Sequence, residues 1–233
     1  MATNSNDKLL TALDIDETML WQGCILASCA HAVMLPEYPF TLHDNLWSGG
    51  ICITGSSEGK AALVFSEETE LLFGMFCSYE SDRVLQVESE EDFRKYYKGA
   101  PEEIREMADG LSMLFENETR EGVECPIITT GFWKENGRIV SFDTRSDWHE
   151  HGGHLLDYRM MPFEKAMPYY EEVGSMDASR AKIAERIYRE RIQSPDRKVV
   201  LTKSEIAVLK KIGEENIEVC KEVFESFGVG FEE

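Results

Sequence analysis

Apolar positions follow two rhythms along this chain: recurrence every three to four residues in some stretches, unbroken β-branched or aromatic runs in others. Between residues 16 and 34, Leu20, Cys24, Ala27 and His31 repeat at helical spacing. Asp14 or Asp16 can cap that run and Pro36 stops it, which predicts an N-terminal helix. Residues 50–54, 60–66 and 70–77 are apolar, β-branched or aromatic, separated only by residues 55–59 and 67–69. Links this short join antiparallel neighbours, so the three runs predict a meander. Acidic helices are expected over 90–97 and 101–116. The second has Pro101 in its first turn and an apolar face of Ile104, Met107, Leu111, Leu114 and Phe115. Residues 125–134 and 138–143 flank Asn136-Gly137, a strong hairpin signal. Helices over 162–173, 177–193 and 203–227 follow, the last opened by a Thr202/Glu205 capping box and stopped by Gly228.

The order predicts an α+β fold: a mainly antiparallel sheet, built from a three-stranded meander plus a hairpin, with N-terminal, central and C-terminal helices packed around it. Ser194-Pro195-Asp196-Arg197 reads as a linker. The expected organisation is an α+β domain over 1–193 and a C-terminal helical extension over 194–233, packed on the same core.

A 42% hydrophobic and 10% aromatic composition is that of a globular chain. The 44 acidic and 24 basic residues leave a net charge of −20. Residues 61–125 hold 17 Asp and Glu against 6 Lys and Arg, a net of −11. A field of that sign repels phosphate backbones and anionic lipid, which argues against nucleic-acid or membrane binding; it suits a basic protein partner or serves only to keep the protein soluble. Six scattered cysteines make no CxxC pair, the start MATNSNDK lacks the form of a secretory signal, and no apolar run reaches membrane-span length. The expectation is a reduced, cytoplasmic protein.

Metal- and proton-handling side chains gather in one place, DTRSDWHEHGGHLLD at 143–157. His149, His151 and His154 stand among Asp143, Asp147, Glu150 and Asp157. On an extended segment His149 and His151 point the same way, and His154 or Asp147 can complete a face for zinc, iron or manganese. The other expectation is a solvated loop after the hairpin, turned by Gly152-Gly153. Trp47, Trp133 and Trp148 mark a binding surface if exposed and the core if buried.

Three short patches resemble known families. Leu13-Asp14-Ile15-Asp16-Glu17-Thr18 resembles the DxDx[TV] signature of haloacid-dehalogenase-like phosphatases. That resemblance implies Asp14 as nucleophile, Asp16 as proton shuttle, a bound Mg²⁺, Thr54 as a second motif and Asp143 with Asp147 as an acidic fourth. It also implies a parallel sheet with helical crossovers, for which the links between 50 and 77 leave no room. Helix capping by these carboxylates is the competing expectation. His149-Glu150-His151-Gly152-Gly153-His154 resembles the HxHxDH motif of metallo-β-lactamase-fold hydrolases, with Gly153 where the aspartate belongs and no histidine downstream. Leu201-Thr202-Lys203-Ser204-Glu205 with Val208-Leu209 resembles the opening helix of a LuxR-type helix-turn-helix, but no basic recognition helix follows, so these positions read as core contacts.

Two functions follow as expectations. The first is an acidic interaction protein, of the inhibitor or immunity type, that engages a basic partner through Glu88, Glu90, Glu91, Asp92, Glu102, Glu103 and Glu106. The alternative is a metal-dependent hydrolase built on His149, His151 and His154, with Asp143 or Asp147 completing the site and a metal-bound water as nucleophile.

Overall fold

The computed structural model describes residues 10–66, 70–89, 91–118, 122 and 124–232. In chain order the first elements are β1 (Thr11–Ala12), α1 (Glu17–Ala32), β2 (Asn45–Ser48), β3 (Ile51–Gly55), β4 (Gly59–Ser66) and β5 (Leu71–Ser78). Then come α2 (Glu102–Ser112), β6 (Glu116–Glu118), β7 (Glu124–Pro126), β8 (Thr130–Glu135), β9 (Arg138–Ser141) and α3 (Arg145–Glu150). The remainder is α4 (Phe163–Val173), α5 (Ala178–Gln193), β10 (Val199–Leu201), α6 (Lys203–Gly213), α7 (Ile217–Ser226) and β11 (Val229–Phe231). The α+β class and the antiparallel sheet expected from the sequence are both present. Among the described residues no helix is long and apolar enough to cross a membrane.

The contacts divide the chain into two units. The first holds residues up to Ile15 and Ser57–Leu155, the second Asp16–Ser56 and Leu156–Glu233. In the first unit the strands lie in the order β1-β9-β8-β5-β4, every pair antiparallel. β5 is buried at every residue, so it runs as a continuous apolar strand rather than an alternating one. Asn136 (φ 50°) and Gly137 (φ 72°) both take the left-handed conformation between β8 and β9, the type I′ geometry that Asn-Gly favours. Phe73 stacks on Tyr97 at 5.1 Å, and Phe76 and Phe132 meet the edge of Trp148 at 6.2 and 6.3 Å. The segment expected as a helix over 90–97 is a 3₁₀ helix, Asp92–Tyr97, and the helix expected to reach 116 leaves α geometry after Ser112.

In the second unit α1 is the central element. Leu20, Gly23 to Ala30 and Ala32 are buried, so nearly its whole circumference is covered, with α4, α5 and α7 against it. Small residues permit this: a Cβ on Gly23 would stand 1.8 Å from the Arg159 carbonyl oxygen. Asp16 caps α1, its Oδ1 accepting from the Met19 amide at 2.9 Å. The helix expected over 203–227 is broken into α6 and α7, because Gly213 leaves helical geometry (φ −162°, ψ 86°). There a Cβ would lie 2.0 Å from the Pro36 carbonyl oxygen. The Thr202/Glu205 capping box forms as expected, and Leu209 is fully buried. β10 and β11, a short parallel pair, were not foreseen. Trp47, Trp133 and Trp148 are all core residues, and Trp47 donates to the Ser28 hydroxyl at 2.8 Å.

Candidate functional site

The histidine segment begins where β9 ends, and its first carboxylate is not on the surface. Asp143 is 3% exposed. Arg83, in a 3₁₀ turn over Asp82–Gln86, grips it with two nitrogens: Nη1 to Oδ2 at 2.6 Å and Nη2 to Oδ1 at 3.0 Å. The Thr130 hydroxyl on β8 donates to the same Oδ2 at 2.7 Å. Arg83 Nη1 also reaches the Thr129 carbonyl at 2.7 Å, and the guanidinium lies 5.3 Å from the Tyr96 ring centre. Burial lowers the Arg83 pKa, but Asp143, with a smaller contribution from Tyr96, more than offsets it and holds the pKa above its ordinary value. Burial likewise lifts the Tyr96 hydroxyl to about 12, so it is a neutral phenol at physiological pH. The bidentate pair locks the 3₁₀ turn onto β8 and β9.

Thr144 accepts from the Asp147 amide at 3.2 Å and starts α3, so the segment expected to be extended is helical. At about 100° per residue, His149 and His151 then leave the axis in different directions. His151 Nδ1 meets the Ser81 hydroxyl at 2.8 Å and lies 3.8 Å from Asp82. Its carbonyl accepts from the Thr129 hydroxyl at 2.5 Å. His154 Nδ1 meets the His149 carbonyl at 3.0 Å, and the two rings stand edge to face with centres 6.1 Å apart. Among the described residues no three His, Cys, Asp or Glu side chains converge to hold a metal ion, so His149, His151, His154 and Asp147 are neighbours in sequence without being one donor set.

Ser81 and His151 invite comparison with a nucleophile and its base. A relay needs the hydroxyl on one ring nitrogen and the orienting carboxylate on the other. Here Ser81 and Asp82 both face Nδ1. Ser81 Oγ also accepts from the Arg83 amide at 3.2 Å, as the cap of its turn. These groups hold a loop in place. The sequence flagged Asp143 and His151 but missed Arg83, Ser81 and Thr130, which lie far from them along the chain and carry no motif.

The phosphatase-like carboxylates serve other ends. Asp14 follows β1, which pairs antiparallel with β9, and lies on the surface 3.9 Å from Arg145; Asp16 caps α1.

The carboxylates expected to meet a partner fall into two groups. Asp92 accepts from the Glu88 amide at 2.6 Å and from the Ser89 amide at 3.0 Å, so it organises its own loop. Burial pushes its carboxyl up, but those amides outweigh it and hold the pKa below the usual range. Glu91 pairs with Arg94 at 2.8 Å, Glu88 is exposed, and Glu90 lies outside the described residues. Glu102, Glu103 and Glu106 are exposed on α2, with Ile104 and Ala108 turned inward. Positions 102, 103 and 106 are i, i+3 and i+4 neighbours, so the three carboxylates form one patch. No protein-family model, no curated protein and no solved structure matches this chain.

Proposed function

We propose that this protein is an acidic interaction protein that engages a basic protein partner, as inhibitors and immunity-type proteins do, and that Glu102, Glu103 and Glu106 on α2 are the centre of the surface it uses. The observation that carries this reading is the patch itself: three exposed carboxylates on one side of a helix, none in an ion pair among the described residues. The chain's net charge of −20 adds a long-range field of the same sign, which steers a cationic partner toward contact. All six cysteines are buried free thiols, consistent with work in a reducing cytoplasm. The donor geometry of the histidine segment lends nothing to the hydrolase alternative.

The test compares two triple charge reversals in binding to a synthetic Lys/Arg-rich helical peptide. Glu102→Lys/Glu103→Lys/Glu106→Lys removes the patch. Glu80→Lys/Glu172→Lys/Glu215→Lys makes the same change in net charge at exposed sites that are far apart along the chain. Stopped-flow association at low salt should slow by roughly tenfold or more in the first variant and far less in the second. Equal slowing in both would reduce the acidity to a solubility device.

A further inference from the structure

The acidic stretch contains a basic cleft. Four of the six Lys and Arg residues between 61 and 125, namely Arg94, Lys95, Lys98 and Arg105, line one cavity of about 750 Å³ between the Asp92–Tyr97 turn and α2. Its floor is Tyr97, Ala100 and Ala108, all buried. The one carboxylate in its wall, Asp109, is already engaged by Arg94 Nε at 2.8 Å. Lys98 and Arg105 are exposed and have no carboxylate partner among the described residues. Gly99, between Lys98 and the floor, takes φ +86° with nothing within 4 Å of where a Cβ would stand, so the lip of the cleft is unobstructed. Arg105 and Ala108 share one side of α2, three residues apart; Glu102 is three residues before Arg105 but makes no ion pair with it among the described residues, and Glu103 and Glu106 face elsewhere around the helix.

We infer that this cleft binds a small phosphate-bearing molecule through its phosphoryl oxygens. Beside the Arg94–Asp109 pair, Lys98 and Arg105 bring positive charge that no carboxylate among the described residues neutralises, and a ligand carrying several negative charges gains from it. Arginine forks suit phosphoryl oxygens geometrically, and lysine adds point charge. The volume is within the range of small-molecule sites. Tyr97 is 1% exposed, packed on Phe73 and bonded to the Gly74 carbonyl, so it offers no face to an aromatic base. Recognition therefore centres on the phosphates. The net charge of −20 repels anions at a distance, so capture rests on these short-range contacts. This inference is independent of the acidic patch on α2.

Calorimetric titration of the full chain with pyrophosphate and with ADP, at fixed ionic strength, tests it. Saturable one-to-one binding is expected for both, with affinities within about threefold of each other because the diphosphate alone is read; ADP binding tighter by about tenfold or more would overturn phosphate-centred recognition. Lys98→Glu/Arg105→Glu should weaken binding by at least about tenfold. Its unfolding midpoint should match the wild type, because neither side chain has a hydrogen-bond or ion-pair partner among the described residues. Arg197→Glu/Lys198→Glu, which alters a second basic surface on the other unit, should leave the affinity within about twofold. Absence of saturable binding up to about 10 mM ligand, or equal loss in both variants, would overturn the assignment.

Discussion

Replacing Asp143 with Ala removes the acceptor for three hydrogen bonds, two from Arg83 at 2.6 and 3.0 Å and one from Thr130 at 2.7 Å. Breaking a buried ion pair from one side costs about 3–5 kcal/mol, because the remaining charge is stranded. Arg83 keeps its bond to the Thr129 carbonyl and its side chain is 16% exposed, so water recovers part of the loss. The expected destabilisation is therefore at the low end, about 3 kcal/mol. For a chain of this length that lowers the unfolding midpoint by roughly 6–12 °C. Urea unfolding followed by tryptophan fluorescence reads it directly, since Trp133 and Trp148 are buried in the same unit. Arg83→Leu/Asp143→Leu should cost less than the two single changes added, with a coupling of about 1–3 kcal/mol, because no charge is then left behind. A cost below about 1 kcal/mol for Asp143→Ala, or additivity within about 0.5 kcal/mol, would refute the view that the pair locks the turn.

His31 tests a buried imidazole. Thr41 donates its own proton to the Tyr38 carbonyl at 2.9 Å, so His31 Nε2 must be the donor in its 3.1 Å contact with Thr41, and the buried Nδ1 has no hydrogen-bond partner among the described residues. Burial, with a smaller push from Arg159, lowers its pKa to about 4. The unfolded chain then binds the proton more tightly, so stability is lost as pH falls from about 6.5 toward 4, by about 2–3 kcal/mol. Urea midpoints at pH 7 and 4.5 should differ less in His31→Gln than in the wild type, and an unchanged difference would sink the idea. Two glycines in helices should respond with opposite signs. Gly23→Ala, with its Cβ 1.8 Å from a backbone oxygen, should destabilise by about 2 kcal/mol or more despite better helix propensity, whereas Gly110→Ala, in open space on α2, should stabilise by about 0.5–1 kcal/mol in the same urea assay.

The sequence by itself determined those features whose signal is local. Asn136-Gly137 specified its hairpin because only residues tolerant of positive φ fit a type I′ turn, and Thr202 with Glu205 specified a helix start because the two caps are three residues apart. Short links between apolar runs were enough for the antiparallel α+β class. Tertiary structure alone decided the rest. Asp143 looked like a member of a surface cluster until Arg83, 60 residues away, and Thr130 closed around it. The histidines looked convergent on an extended chain, but Thr144 starts a helix there and turns them apart. α1 read as amphipathic, yet its small residues let neighbours cover almost every side. Gly213 looked like an ordinary helix position until the Pro36 carbonyl pressed against it. Even the charge average misled: a stretch of net −11 folds four of its six cations into one cleft, because helix periodicity and a turn at Gly99 sort residues by direction, which composition does not record.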